Sequence, residues 1–172
     1  MGRPAFCPTD AATDESSGPP AWPGSAPALS AASVARALDE FAYTEQVTVS
    51  HVGKPFLAYA QRTWSIDDGR PLHAETGYWR CGPDGAVELV IAHPTGHVEV
   101  AQGTIAGPGT VIDLRSTVVA GTASAKAVTE LRRRFVVDGD RLRYELDMAA
   151  VGVALAPHLR GELVQSPGDR RS

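Results

Sequence analysis

From residue 41 onward, polar and apolar side chains alternate. Phe41, Tyr43, Glu45, Val47 and Val49 fall on one face, and Ala42, Thr44, Gln46, Thr48 and Ser50 on the other. A period of two, rich in aromatic and β-branched residues, predicts a strand. Comparable runs cover residues 56–66, 72–80, 86–92, 97–105, 111–118, 126–137 and 141–150, with a shorter last run at 159–164. Between them stand Asp67-Asp68-Gly69, Pro83-Asp84-Gly85, Pro94-Thr95-Gly96, Gly107-Pro108-Gly109 and Asp138-Gly139. These supply the positive or preset φ that tight turns need, and Asp-Gly is the strongest short hairpin signal. Short turns make sequence neighbours antiparallel spatial neighbours, so the pattern predicts a meander. A long meander leaves open edges unless it closes. The expected fold is all-β, an antiparallel up-and-down barrel of about nine or ten strands, wide enough for one small ligand.

Upstream the pattern is lost. Residues 1–28 carry Pro4, Pro8, Pro19, Pro20, Pro23 and Pro27 with no apolar period, as in a disordered tail. Residues 29–38 are Ala-rich with apolar positions at helical spacing, which predicts a short helix. The division is therefore a tail over 1–38 and a barrel over 39–168, with Arg170-Arg171-Ser172 fraying at the end.

Composition adds exclusions. With 43% hydrophobic and 21% charged residues, the chain is not wholly disordered. A net charge of −4 is the wrong footprint for nucleic acid. No run is long and apolar enough for a membrane helix, and the N-terminus lacks a secretory h-region, so no membrane partner is expected and the expected compartment is the cytoplasm. Cys7 and Cys81 form no metal-binding spacing and read as free thiols in a reducing compartment. Oligomeric state is open, a dimer being one option. Arg132-Arg133-Arg134 reads first as a solvated face, with Arg133 opposite to its neighbours.

No hydrolase, Walker or Rossmann signature is present. Glu45, Glu75 and Glu99 stand isolated on strands. His93 and His97 bracket a turn and read as a polar hairpin rather than a zinc pair. His51 reads as a surface or capping residue before Gly53-Lys54-Pro55. His73 reads as a half-buried strand residue. His158 follows a small apolar stretch and Pro157. It fits either a histidine at a loop exit or an axial ligand, since neutral imidazole is a common ligand of heme iron.

Five segments carry a specific resemblance: FAYTEQVTVSHVGKPFLAYAQRTW (41–64), GRPLHAETGYWR (69–80), VELVIAHPTGHVEVAQGT (87–104), TASAKAVTEL (122–131) and LDMAAVGVALAPHL (146–159). In this order they resemble the nitrobindin family. The resemblance implies a barrel of the fatty-acid-binding-protein shape with one ferric heme b per chain. It implies isomerisation of peroxynitrite to nitrate and weak binding of nitric oxide. His158 matches the family's axial ligand, Lys126 a heme-contacting lysine, His73 an inward-facing barrel position and Met148 a pocket methionine. The family's Gly-x-Trp-x-Gly-x-Gly first-strand motif has no counterpart upstream of Phe41, so the first strand is expected to be atypical or missing. Two alternatives accompany this reading: a non-heme carrier of a small hydrophobic ligand, and a degenerate relative with impaired heme binding.

Overall fold

The computed structural model describes residues 28–31, 42–51, 53–106 and 110–166, the first of these as backbone only. The strands are β1 (Ala28–Ala31), β2 (Tyr43–His51), β3 (Phe56–Ser65), β4 (Pro71–Cys81), β5 (Ala86–His93), β6 (His97–Ala106), β7 (Thr110–Gly121), β8 (Val128–Asp138), β9 (Arg141–Ala150) and β10 (Val153–Val164). They form one sheet in chain order, and each pairs antiparallel with the next, from Ala28 opposite Thr48 to Val164 opposite Arg141. The long strands β2–β10 wrap into a nearly closed barrel. The short β1 pairs with β2 and lies beside β10.

The expected meander is present, and turn chemistry sets its corners. Asp84 (φ 55) and Gly85 (φ 77) take left-handed conformations in the Pro83-Asp84-Gly85 turn, where Asp and Gly carry little penalty. Two expectations change. Residues 29–31 are strand rather than the start of a helix. Backbone pairing to β2 uses ladder bonds there, and the apolar spacing did not distinguish the two. The last strand begins at Val153, not at 159. The two-residue Val151-Gly152 turn closes a hairpin, with Val151 at φ 50 and Gly152 at φ 83, both positive as such a turn demands. The tail over 1–27, the remainder of the 29–38 helix, the Gly107-Pro108-Gly109 turn, Cys7 and Arg170-Arg171-Ser172 lie outside the described residues. Cys81 is disulfide-bonded, which corrects its reading as a free thiol. No helix among the described residues is long and apolar enough to cross a membrane.

Inward-facing residues stack in layers along the barrel. At one end lies an apolar core that includes Val47, Leu57, Leu89, Ile112, Leu142 and Leu163. Trp79 meets Phe135 edge to face at 5.1 Å, a favoured aromatic geometry. Further along β2, β3, β4, β6 and β8 the same inward face turns polar, with Glu45, Gln61, Glu75, Glu99 and Arg133 buried.

Candidate functional site

The polar layer follows from the two-residue period. On β4 the inward series runs Trp79, Gly77, Glu75, His73. On β6 it runs Ala101, Glu99, His97, and on β8 Phe135, Arg133, Leu131. Glu75, Glu99 and Arg133 are therefore driven into the barrel together. Arg133 donates through Nη1 and Nη2 to both oxygens of Glu75 at 3.0 Å, and through Nε and Nη2 to Glu99. All three side chains are almost fully buried. Burial pushes the Glu75 carboxyl up, but the Arg133 guanidinium and His73 outweigh it and hold it well below the usual carboxylate range. The same guanidinium, with His93 beside it, lowers Glu99 against its burial. Two of the three carboxylates read as isolated, Glu75 and Glu99, thus form one network with the arginine read within a solvated run. Only Arg134 of that run makes a surface pair, with Asp113.

A second network adjoins it. Tyr59 donates to Glu75 at 2.8 Å and lies as close to Gln61. Gln61 Nε2 donates to Glu45, and the Tyr144 hydroxyl donates to the same carboxylate at 2.9 Å. Gly161 on β10 leaves the room for this pair: a Cβ there would come within 2.5 Å of the Tyr144 ring and 3.0 Å of Glu45. Burial pushes the Glu45 carboxyl up to about 7, against the lowering effect of its hydrogen bonds. Its folded pKa lies above the ordinary 4.5, so its contribution is complete below pH 4.5 and is lost as pH rises to about 7. We expect stability to fall across that window by about 3 kcal/mol from this group. Urea midpoints at several pH values should show the decline in the native chain and a flattened profile in Glu45→Gln. An identical slope in both would remove Glu45 as the cause.

Beyond the polar layer, at the open end, stand the histidines. His158 is half-buried and lies where the register of β10 slips against β9: Pro157 faces Asp147 and Leu159 faces Leu146, so His158 is the extra residue of a bulge. Bulges re-aim a side chain, and proline is tolerated in a strand at such points because its missing N–H is not needed. His158 is therefore in mid-strand, not at a loop exit. Burial, and then the neighbouring His73, lower the proton affinity of its imidazole. The ring is thereby kept neutral, the form that ligates a metal. Met148 on β9 pairs with Ala156, two residues before His158, and with Leu131 on β8. The hairpin that carries His158 exposes Val151 (68%), Val153 (64%) and Leu155 (37%), an apolar stretch of surface.

Lys126 reaches the same end by a different route. The loop between β7 and β8 is tied down where His97 Nε2 meets the Lys126 carbonyl at 2.5 Å and where the Val151 N–H donates to the Ala127 carbonyl at 2.8 Å. The Lys126 side chain is exposed beside the hairpin that carries His158. His97 anchors a loop, with Thr95 on its other nitrogen at 3.2 Å, in accord with the polar-hairpin reading. His51 accepts from the Gly53 N–H at 2.9 Å and caps its corner. Thus His158, His73, Met148 and the Lys126 loop converge at one end of the barrel. Sequence reasoning missed His93, which faces Glu75 and Glu99 at 3.5 Å. Its signal was its phase: it continues the inward series Val87, Leu89, Ile91.

This donor set suits a heme: one neutral imidazole on a rigid bulge, an apolar lip for a flat macrocycle, and a cation at the rim for its carboxylates.

Comparison with known proteins agrees. The family described as "THAP4-like, heme-binding beta-barrel domain" matches residues 21–165. Peroxynitrite isomerase 1 of Mycolicibacterium paratuberculosis (strain ATCC BAA-968 / K-10) is 52% identical over 128 residues, 73% of this chain and 80% of that protein. Peroxynitrite isomerase 1 of Mycobacterium tuberculosis (strain ATCC 25618 / H37Rv) is 49% identical over 128 residues, 72% of this chain and 78% of that protein. The crystal structure of Rv2717c from M. tuberculosis superposes with a TM-score of 0.75 at 41% identity, covering 82% of this chain and 92% of that one. The chain belongs to the THAP4-like heme-binding β-barrel family.

Proposed function

We propose that this chain holds one ferric heme b through His158, isomerises peroxynitrite to nitrate and binds nitric oxide weakly. The observation that carries the reading is the bulge at Pro157-His158, which holds a half-buried imidazole of lowered proton affinity in the strand that begins with the exposed Val153 and Leu155. The activity is supported by relatives of about half-identical sequence that are named peroxynitrite isomerases.

The bound heme supplies a Lewis-acidic, one-electron metal with a position open to a small oxidant. The chain does the rest. His158 would hold the iron through its imidazole, and the exposed Val151, Val153 and Leu155 would give the bound heme an apolar surface that lowers the local dielectric. Lys126 would pair with a heme carboxylate by a charge-assisted hydrogen bond. His73 and Met148 would stand beside the heme, next to the buried Glu75–Arg133–Glu99 layer. Partners are then small molecules only. The cytoplasmic setting belongs to the same proposal, and the disulfide at Cys81 is the observation that bears against it, since cytosolic thiols are kept reduced.

The test is rapid mixing of heme-loaded protein with peroxynitrite. The decay rate should rise in proportion to protein, with nitrate as the product. Decay no faster than with heme-free chain would overturn the activity. The exposed lip would equally serve a carrier of an apolar ligand, and the short β1 would suit a degenerate relative. Weak heme binding with a broad, non-cooperative melt would favour the degenerate relative, and a cooperative melt with no heme binding the carrier.

A further inference from the structure

We propose a binding site for a first-row divalent metal ion, of the kind that takes zinc, built from His73, Glu75 and His93. His73 also stands beside the heme site proposed above, but none of the three is the histidine proposed to ligate iron, so the two readings are tested separately.

The fold makes the site. His73 and Glu75 are two apart on β4 and share its inward face. Gly77 pairs with Ile91, and continuing that antiparallel register places Glu75 across from His93. Nε2 of His73 and Nδ1 of His93 each lie 3.5 Å from Oε2 of Glu75. The three donor atoms all lie within 4.8 Å of one another. Ligand atoms of a tetrahedral site with bonds of about 2.0–2.2 Å are about 3.3–3.6 Å apart, so two of the three edges already have the required length. The third edge, between the two imidazole nitrogens, is no longer than 4.8 Å.

Three further observations point to a cation there. Oε1 of Glu75 already accepts from Arg133 and Tyr59, whereas Oε2 accepts from Arg133 alone. A carboxylate oxygen has two lone pairs, and the second one on Oε2 faces both imidazoles at a length too long for a strong hydrogen bond. Nε2 of His93 is buried with no hydrogen-bond partner, and the Glu99 carboxylate is 3.5 Å behind it. A metal on Nδ1 would fix the proton on Nε2 and turn it towards Glu99, the carboxylate–histidine–metal arrangement. Finally, Glu75 and Glu99 carry two negative charges against the single positive charge of Arg133. The buried cluster is one charge short, and buried charge is costly until compensated. Two imidazoles and one carboxylate, with the His73 side chain 31% exposed, form a donor set that suits zinc and its first-row neighbours.

A proton on His93 would balance the charge equally, and the experiment separates the two. The full chain, stripped with chelator, is titrated with zinc ion alone by calorimetry at neutral pH, with and without bound heme. We expect one zinc per chain with a Kd of about 10 μM or tighter, and proton release seen as buffer-dependent heat. His73→Gln and His93→Gln should each weaken binding by about 10-fold or more, while His158→Ala stays within about 3-fold. Zinc should also raise the melting temperature of the native chain, a readout that does not depend on any variant folding. No saturable binding up to about 100 μM would mean that a protonated His93 suffices and would overturn the site. Equal affinity in both glutamine variants would assign the zinc to surface histidines and overturn it too. Loss of zinc binding in His158→Ala would place the ion at the other histidine. Heme binding without zinc binding refutes this inference alone, and zinc binding without heme binding refutes only the proposed function.

Discussion

His158→Ala is expected to leave the barrel folded and to weaken hemin binding by about 100-fold or more, equivalent to at least roughly 2.7 kcal/mol. The side chain is half-buried and sits on a bulge, outside the β9–β10 ladder. Its removal opens no core cavity and breaks no strand pair, so the melting temperature of the heme-free chain should move by only a few degrees. What is lost is the one imidazole that the hairpin aims and that burial and His73 keep neutral. Lys126→Ala is the internal comparison. Its side chain is exposed, and a screened ion pair contributes about 1 kcal/mol or less, so hemin affinity should fall by no more than about 5-fold. Competition for hemin against a heme-binding reference protein measures both. Equal losses in the two variants would mean that His158 is not the ligand, or that the Lys126 loop positions it.

Arg133→Met should be the most destabilising single change in the barrel. Arg133 is 3% exposed and spans two carboxylates whose side chains are 2% and 0% exposed. Methionine fills much of the volume but leaves both carboxylates buried without a cation. Breaking such a pair from one side costs about 3–5 kcal/mol, which for a barrel of this size lowers the melting temperature by roughly 10–20 °C. The sign with pH is fixed by the same charges. With Arg133 in place, Glu75 and Glu99 have depressed pKa values in the folded state. Their stabilisation is therefore present above the ordinary carboxylate value near 4.5 and is lost as pH falls through the folded values. In Arg133→Met the carboxyls protonate more readily, so the deficit should be largest at neutral pH and should narrow below about pH 4.5. Melting curves across that range decide it. A deficit independent of pH would show that packing, not charge, is what Arg133 supplies.

The strands were legible because each exposes one face, and alternation with Asp-Gly and Pro-x-Gly punctuation carries that directly. The polar layer was half-legible. Arg133 was correctly opposed to Arg132 and Arg134, yet a triple-arginine run resembles a solvated edge. Glu45, Glu75 and Glu99 keep phase with Tyr43, Trp79 and Ala101, which become buried. That shared phase is the signature of a charge driven inward, and only a partner on a distant strand could reveal it. Glu99 and Arg133 are 34 residues apart, a separation no local pattern reports. Pro157 pointed to an interruption, but an interruption reads equally as a loop. The bulge at His158 became visible only through register, when Leu159 was found opposite Leu146. Residues 29–31 show the opposite failure. Their alanine-rich spacing fits a helix, but the open edge of β2 offers ladder bonds that a local reading does not see.

The most direct test of the central claim is an absorption titration of the purified full chain with hemin. The account predicts a sharp Soret band near 400 nm (an approximate position for histidine-ligated ferric heme) that saturates at one hemin per chain in the native protein and fails to form in His158→Ala. A spectrum that stays that of free hemin throughout, or a band that saturates identically in the variant, would contradict it.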